Sequence, residues 1–297
     1  MNMQKKIIVT GANGQLGMEL QQAAPSHPLF EFIFTTRQEL PLDELGAINE
    51  FIEKHQPDYF INCAAYTTVD KAESEKELAY NVNAEAPGII ATACKKNNVQ
   101  LIHISTDYVF NGMGNTPYKE TDDTDPVNFY GESKLAGENK VMQAHPQSVI
   151  IRTSWVYSEF GKNFVKTMLR LMADKEEISV VSDQSGTPTY AADLAETIMK
   201  IISVLEAPAH DSQFTIHPGI YHFSNEGNIT WYDFAVAIKE MSGSSCKVNP
   251  IASSQYPTPA KRPFYSVMDK TKIQQTFGIA TKDWKTSLAV CIERLKK

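Results

Sequence analysis

The 297-residue chain has only four cysteines, Cys63, Cys94, Cys246 and Cys291, far apart and without a CxxC pair. That spacing excludes a disulfide scaffold and suits buried thiols in a reducing compartment. Long hydrophobic runs are missing too: no stretch approaches the roughly 18 apolar residues of a membrane span. Met1 to Lys6 lead straight into a strand-like run without the apolar core of a signal peptide. A cytoplasmic protein with no membrane partner is therefore expected. Positive charge is in short supply, with 28 Lys and Arg against 35 Asp and Glu and a formal net charge of −7. Such a balance argues against a nucleic-acid surface, and an anionic small molecule would need its own local Arg or Lys. His217 and His222 have no acidic or thiol partner in register, so no metal site is assigned to them. Nothing repeats at a fixed period and no segment is low in complexity. With 42% hydrophobic and 21% charged residues, the chain can bury the core of one large α/β unit or two smaller domains.

What is present is an alternation of short β-branched runs and helical patterns. KKIIVT, Lys5 to Thr10, reads as a strand buried in a parallel sheet and leads directly into Gly11-Ala12-Asn13-Gly14-Gln15-Leu16-Gly17 and a helix through Ala24. Strand, glycine turn, helix is the context of a dinucleotide fingerprint, in which the helix N-terminus receives a pyrophosphate. The spacing is GxxGxxG rather than GxGxxG. After a second strand, Glu31 to Thr35, the chain offers Thr36 and Arg37 where an acidic residue would hold a ribose 2′-hydroxyl, which tilts the cofactor from NADH to NADPH. Asp43 is placed near the adenine or as the cap of a helix running to about His55.

Tyr59 to Cys63 is the next strand, and Ala64, Ala65 and Tyr66 follow at its end, where a cofactor can lie against backbone. A helix over Glu75 to Asn98 should be kinked by Pro87. Gln100 to Ser105 delivers Ser105 and Thr106 to the same edge. Beyond a loop over Asn111 to Val127, a helix through about Ala144 carries Tyr130 and Lys134 four residues apart, on one face. A positive charge near a phenol favours the phenolate and can bring its pKa toward neutrality. Alone, this spacing recurs in many helices where the tyrosine simply packs. Ser148 to Thr153 is a further strand. The pattern is a Rossmann-like, doubly wound parallel sheet of the α/β class. Residues 1–173 are assigned to the dinucleotide-binding domain, 190–223 return to it, and 174–189 with 224–297 form mainly a smaller substrate-binding domain.

GANGQLG, the Ser105-Thr106 pair and Tyr130-x-x-x-Lys134, in this order and at these separations, resemble the extended short-chain dehydrogenase/reductase superfamily. AAYTTVDKAE, STDYVFNG, YGESKLAGE, RTSWVY, GKNF, DQSGTPT and RPFYS narrow the resemblance to the dTDP-4-dehydrorhamnose reductase family, over about residue 5 to the C-terminus. The resemblance implies that NADPH, or NADH, delivers hydride to C4 of a 4-keto dTDP-sugar, dTDP-4-dehydro-L-rhamnose, within deoxysugar biosynthesis. It implies that Tyr130 protonates the nascent alkoxide, Lys134 tunes Tyr130 and holds the nicotinamide ribose, and Thr106 orients the keto oxygen. By the same resemblance Asn163, Gln184 and Arg262 face the nucleotide half of the substrate, and Trp155 the sugar. Gln15 and Thr106-Asp107-Tyr108 point away from epimerases and from dehydratases, which carry an Asp-Glu pair after the threonine. Some members form homodimers through magnesium held by glutamates; Glu19 lies where one would stand, but Asp193 occupies the second position, and the metal is left unassigned. Another sugar-nucleotide reductase or epimerase stays open, as does a non-catalytic subunit like the regulatory subunit of methionine adenosyltransferase, against which the intact Thr106, Tyr130 and Lys134 count.

Overall fold

The structure, a computed structural model, describes residues 4–207 and 218–296; His217 lies outside them. Strand β1 (Lys5–Thr10) runs into helix α1 (Gln15–Ala23), then β2 (Phe30–Thr35), α2 (Leu45–His55) and β3 (Tyr59–Asn62). Helix α3 (Ala86–Lys96) precedes β4 (Gln100–Thr106), and α4 (Phe129–Ala144) precedes β5 (Val149–Thr153). Helices α5 (Phe164–Asp174) and α6 (Ala191–Glu206) lead to β6 (Gly219–His222), and α7 (Trp231–Ser242), α8 (Thr271–Phe277) and α9 (Trp284–Leu295) complete the chain. The six strands form one sheet in the order β2-β1-β3-β4-β5-β6, every neighbouring pair parallel. Strand order reverses between β1 and β3, the switch point at which such sheets open a crevice.

Both faces of the sheet are covered, as all-parallel strands require. Ile7, Val9, Ile61, Ile102 and Ile151 pack with α1, α6 and α8 through Leu20, Ile198, Ile202, Ile273 and Phe277. Ile8, Phe60, Leu101 and Ile150 pack on the other face with Ile48 and Ile52 of α2, Ile90 of α3 and Val141 of α4. A further cluster joins Val165, Met168 and Met172 of α5 to Phe234 and Ile238 of α7 and Leu288 and Ile292 of α9. Thus α5, expected in the dinucleotide-binding part, packs in this second cluster, while α8, expected in the substrate-binding part, returns to the sheet. Helices α7 to α9 are not marked in the sequence reading. Thr230 and Asp233 cap α7 reciprocally, a local signal that was there to be found.

The helix expected over Glu75 to Asn98 is broken into Lys76–Tyr80, a π turn over Asn81–Glu85, and α3. Pro87 accounts for the break: its ring cannot sit beside the carbonyl of Asn83, four residues back. That carbonyl is packed instead against α4, at Gly137, where a Cβ would lie 2.1 Å from it. Only glycine permits this approach. The Asn83 side chain holds both backbone groups of Tyr66, accepting from its N–H at 2.8 Å and donating to its carbonyl at 3.1 Å.

Within the sheet-to-α4 layer, Glu138 and Arg152 form a buried bidentate pair, with bonds of 2.7 to 3.2 Å and side-chain exposures of 1% and 3%. Glu138→Leu leaves the guanidinium buried and unpaired and should destabilise the fold by about 3–5 kcal/mol in urea denaturation. A loss below about 1 kcal/mol, the range of exposed pairs, would contradict this reading of the pair.

Candidate active site

At the end of β1 the backbone turns through Gly11 with φ +72°, and a Cβ there would stand 2.9 Å from the amide nitrogen of Ala64, at the end of β3. The turn therefore presses against the neighbouring strand end, and a side chain would force the two apart. Gly14 occupies the N-cap of α1 with no side chain to bond the first N–H groups, leaving them as the anion-binding end of the helix. From here a cavity of about 970 Å³ runs along the carboxyl ends of β1 to β5.

Gly11, Asn13, Gly14, Gln15, Leu16 and Gly17 line one end, with Arg37 and Asp43 beyond β2. Ala64, Ala65 and Tyr66 form the floor, and Thr106, Tyr130, Lys134 and Trp155 the other end. Arg37 is 72% exposed and paired with Asp43 at 2.6 Å. Asp43 does not cap α2; Glu44 holds that position. Asn163, Gln184 and Arg262 are not among the lining residues. Asn163 caps α5 through the Lys166 N–H and donates to Gln15 Oε1 at 2.9 Å, so it reaches the cavity through Gln15. Arg262 pairs with Asp70 at 2.9 Å, close enough to the lining Tyr108 to act on its phenol. Lining residues that the sequence reading did not assign include Asp107, Tyr108, Lys71 and Glu75. Asp107 and Tyr108 directly follow Thr106, and that adjacency was the available signal.

The phenol of Tyr130 lies near Thr106, whose hydroxyl donates to Asp107 Oδ1 at 3.0 Å and accepts from the Tyr108 N–H at 3.2 Å, and the Tyr130 ring meets that of Tyr108 edge-on at 5.5 Å. Burial pushes Tyr130 up to about 12, eased by Thr106 and raised further by Asp107. Burial also raises Asp107 to about 6, against the hydrogen bond that its Oδ1 accepts from Thr106 at 3.0 Å. Lys134 is buried and brought down to about 8 by desolvation, with Glu138 opposing. The expected depression of the Tyr130 phenol by Lys134 is not seen: the amino group turns to the Ile104 carbonyl at 2.7 Å. Trp155 sits at φ +48°, a strained conformation for a bulky residue, and stacks on Trp231 with centroids 3.5 Å apart at 11°.

A glycine turn at the switch point, with a hydroxyl, a phenol and an amine gathered at the adjoining strand end, defines an oxidoreductase of the short-chain dehydrogenase/reductase type. Residues 5–297 match the family described as RmlD substrate binding domain. The dTDP-4-dehydrorhamnose reductase of Aggregatibacter actinomycetemcomitans is 40% identical over 289 residues, covering 95% of this chain and 97% of that one. A crystal structure of such a reductase from Clostridium acetobutylicum superposes with a TM-score of 0.92 at 41% identity, covering 98% of this chain and 100% of that one. Another, from Bacillus anthracis in complex with NADP, gives 0.90 at 37% identity, with 98% and 100% covered. The chain belongs to the dTDP-4-dehydrorhamnose reductase family.

Glu19 is 2% exposed, accepts from Ser158 at 2.7 Å and lies 3.8 Å from Arg294, which Glu159 holds more closely at 2.9 Å. Asp193 is engaged by Asn225, Ser287 and Lys282. Among the described residues, no three His, Cys, Asp or Glu side chains converge on one point. Burial raises Glu19 from 4.5 to about 7. A carboxyl raised on folding stabilises below its unfolded value and loses that contribution as pH rises through its folded one. Glu19→Gln should therefore flatten a fall in Tm between about 4.5 and about 7, measured by calorimetry across pH; an unchanged slope would contradict the assignment.

Proposed function

We propose that the chain reduces the C4 keto group of dTDP-4-dehydro-L-rhamnose to give dTDP-L-rhamnose, with NADPH preferred over NADH. Family membership supports the reaction, and the observation that carries it is the Tyr130 phenol and the Thr106 hydroxyl lining one end of a cavity whose other end is the glycine turn. The open first turn of α1 and the close Gly11–Ala64 approach fit a pyrophosphate lying on backbone. Bound there, the nicotinamide supplies the hydride.

The chain's own part is positioning and proton supply. Held near 12, Tyr130 is a neutral acid at physiological pH and gives its phenolic proton to the alkoxide oxygen formed at C4. Thr106 directs its hydroxyl at the same oxygen as charge develops. Lys134, now bonded to the Ile104 carbonyl, would hold the ribose, and Arg37, now paired with Asp43, would hold a 2′-phosphate. Trp155, backed by Trp231, walls the sugar. Arg262 exchanges Asp70 for the substrate diphosphate, a match for its planar guanidinium. Asn163 acts by holding Gln15, and no contact of Gln184 assigns it a role. The second cluster, with α5 included, is the substrate-binding half; a cytoplasmic homodimer belongs to the same proposal.

The test is purified protein with dTDP-4-dehydro-L-rhamnose and NADPH, followed by nicotinamide absorbance: oxidation with stoichiometric dTDP-L-rhamnose is expected, and no oxidation with either nicotinamide overturns the reading. Tyr130→Phe should lower kcat about 100- to 10,000-fold while sparing cofactor binding; near-normal turnover would mean that the proton comes from another group. Arg37→Asp should lower the NADPH-to-NADH ratio of kcat/KM about 10-fold or more, the loss of about 1.4 kcal/mol. An unchanged ratio removes Arg37 from the cofactor site.

A further inference from the structure

Three polar side chains stand in a single row across β1, β3 and β4; Thr35 continues the row on β2 but turns its hydroxyl to the Val9 carbonyl at 3.2 Å. Thr10 of β1 is register-paired with Asn62 of β3, and Asn62 with His103 of β4. They stand one step further along the strands, on the same face, than Ile8, Phe60 and Leu101, which pack toward α2, α3 and α4. All three are essentially inaccessible, at 1%, 0% and 0% exposure. Polar groups so placed must satisfy one another. Thr10 Oγ1 lies 2.7 Å from Asn62 Oδ1, Asn62 Nδ2 3.1 Å from His103 Nδ1, and His103 Nε2 3.5 Å from Lys134 Nζ.

The direction of this chain is set at its far end by a group that can only donate. The backbone N–H of Ala64 gives its hydrogen to Thr10 Oγ1 at 3.3 Å. Thr10 then has its own hydrogen to place, and Asn62 Oδ1 is its acceptor. With its oxygen so used, Asn62 presents its amide N–H groups to the ring, so Nδ1 accepts and the hydrogen of a neutral imidazole sits on Nε2. We propose that the row from Ala64 through Thr10 and Asn62 locks His103 in the Nε2–H tautomer, making it a positioning residue whose N–H faces Lys134 and favours the neutral amine over the ammonium. This rests on the reductase reading only for its consequence: a lysine whose charge is set by its surroundings beside the proton donor.

The other groups around Lys134 are consistent with that balance. Glu138, on its own helix, is neutralised by Arg152 from β5; Tyr130 and Asp107 stand at the cavity end, with Lys71 and Glu75 further along the lining. Glu85 and Lys140 pair with each other at the outer surface. His103 is held well below its usual value by burial and by Lys134, so the ring does not compete for charge.

The test needs no substrate and is therefore independent of the reductase assay. In protein labelled with ¹⁵N-histidine, the His103 resonances, assigned with His103→Gln, should show a neutral Nε2–H ring throughout the neutral pH range. In ¹⁵N-lysine-labelled protein the Lys134 Nζ midpoint is read directly. Thr10→Val removes the hydroxyl and frees the Asn62 amide to turn its oxygen to the ring. The tautomer should then switch to Nδ1–H, and the Lys134 midpoint should rise by about one pH unit or more. His103→Gln, whose amide can still accept from Asn62 and offer an N–H to Lys134, should keep the wild-type midpoint within about half a unit. An Nδ1–H ring in the wild type, a charged ring at neutral pH, or a Lys134 midpoint unmoved by Thr10→Val in a folded protein overturns the proposal.

Discussion

The layout of the site depends first on the strands being parallel. Parallel pairing brings five consecutive strand ends to one edge, and each end contributes: Gly11 after β1, Arg37 after β2, Ala64 after β3, Thr106 closing β4 and Trp155 beyond β5. The sheet is buried on both faces, so its positions are fixed by aliphatic packing rather than by the site's own polar bonds. The polar row of Thr10, Asn62 and His103 is the point where that packing gives way to chemistry. It occupies the last positions at which β1, β3 and β4 pair with one another, where a hydrogen-bonded chain can be completed without leaving a donor exposed in the core.

Helices bring what the strand ends cannot. The tyrosine and lysine come from α4, whose seat is fixed by the Glu138–Arg152 pair below and by the displaced Asn83 carbonyl against Gly137. One proline thus shapes two parts of the cavity: it opens the π turn, and the Asn83 side chain carried by that turn holds Tyr66 in the floor. Trp155 links the sheet to the second cluster by stacking on the first residue of α7. Its strained backbone is maintained by that stack, with Gly186 leaving room for the indole.

Local patterns were sufficient for the repeat of strand, turn and helix, for the glycine turn, and for Tyr130 and Lys134 on one face, because each is written within a few consecutive residues. What sequence alone did not disclose depends on contacts between distant segments. Arg262 meets Asp70 across 192 residues, and Asn163 reaches Gln15 across 148. Helix α5 looks continuous with the sheet region in sequence yet packs its methionines against α7. The lysine is instructive: it lies one turn from Tyr130 on α4, but its amino group is drawn to a carbonyl and an imidazole on β4. Neither partner lies near it in sequence, and a strand read for its hydrophobic pattern gives no reason to single out His103.

The proposed reaction predicts one fate for the transferred hydride, and an isotope follows it. NADPH deuterated at nicotinamide C4, supplied as each of its two stereoisomers with dTDP-4-dehydro-L-rhamnose, should yield dTDP-L-rhamnose carrying a single deuterium at sugar C4 from one isomer and none from the other. Deuterium at another carbon, or product formed with no transfer from either isomer, would contradict an arrangement in which the strand ends hold the nicotinamide against the carbon whose oxygen Tyr130 protonates.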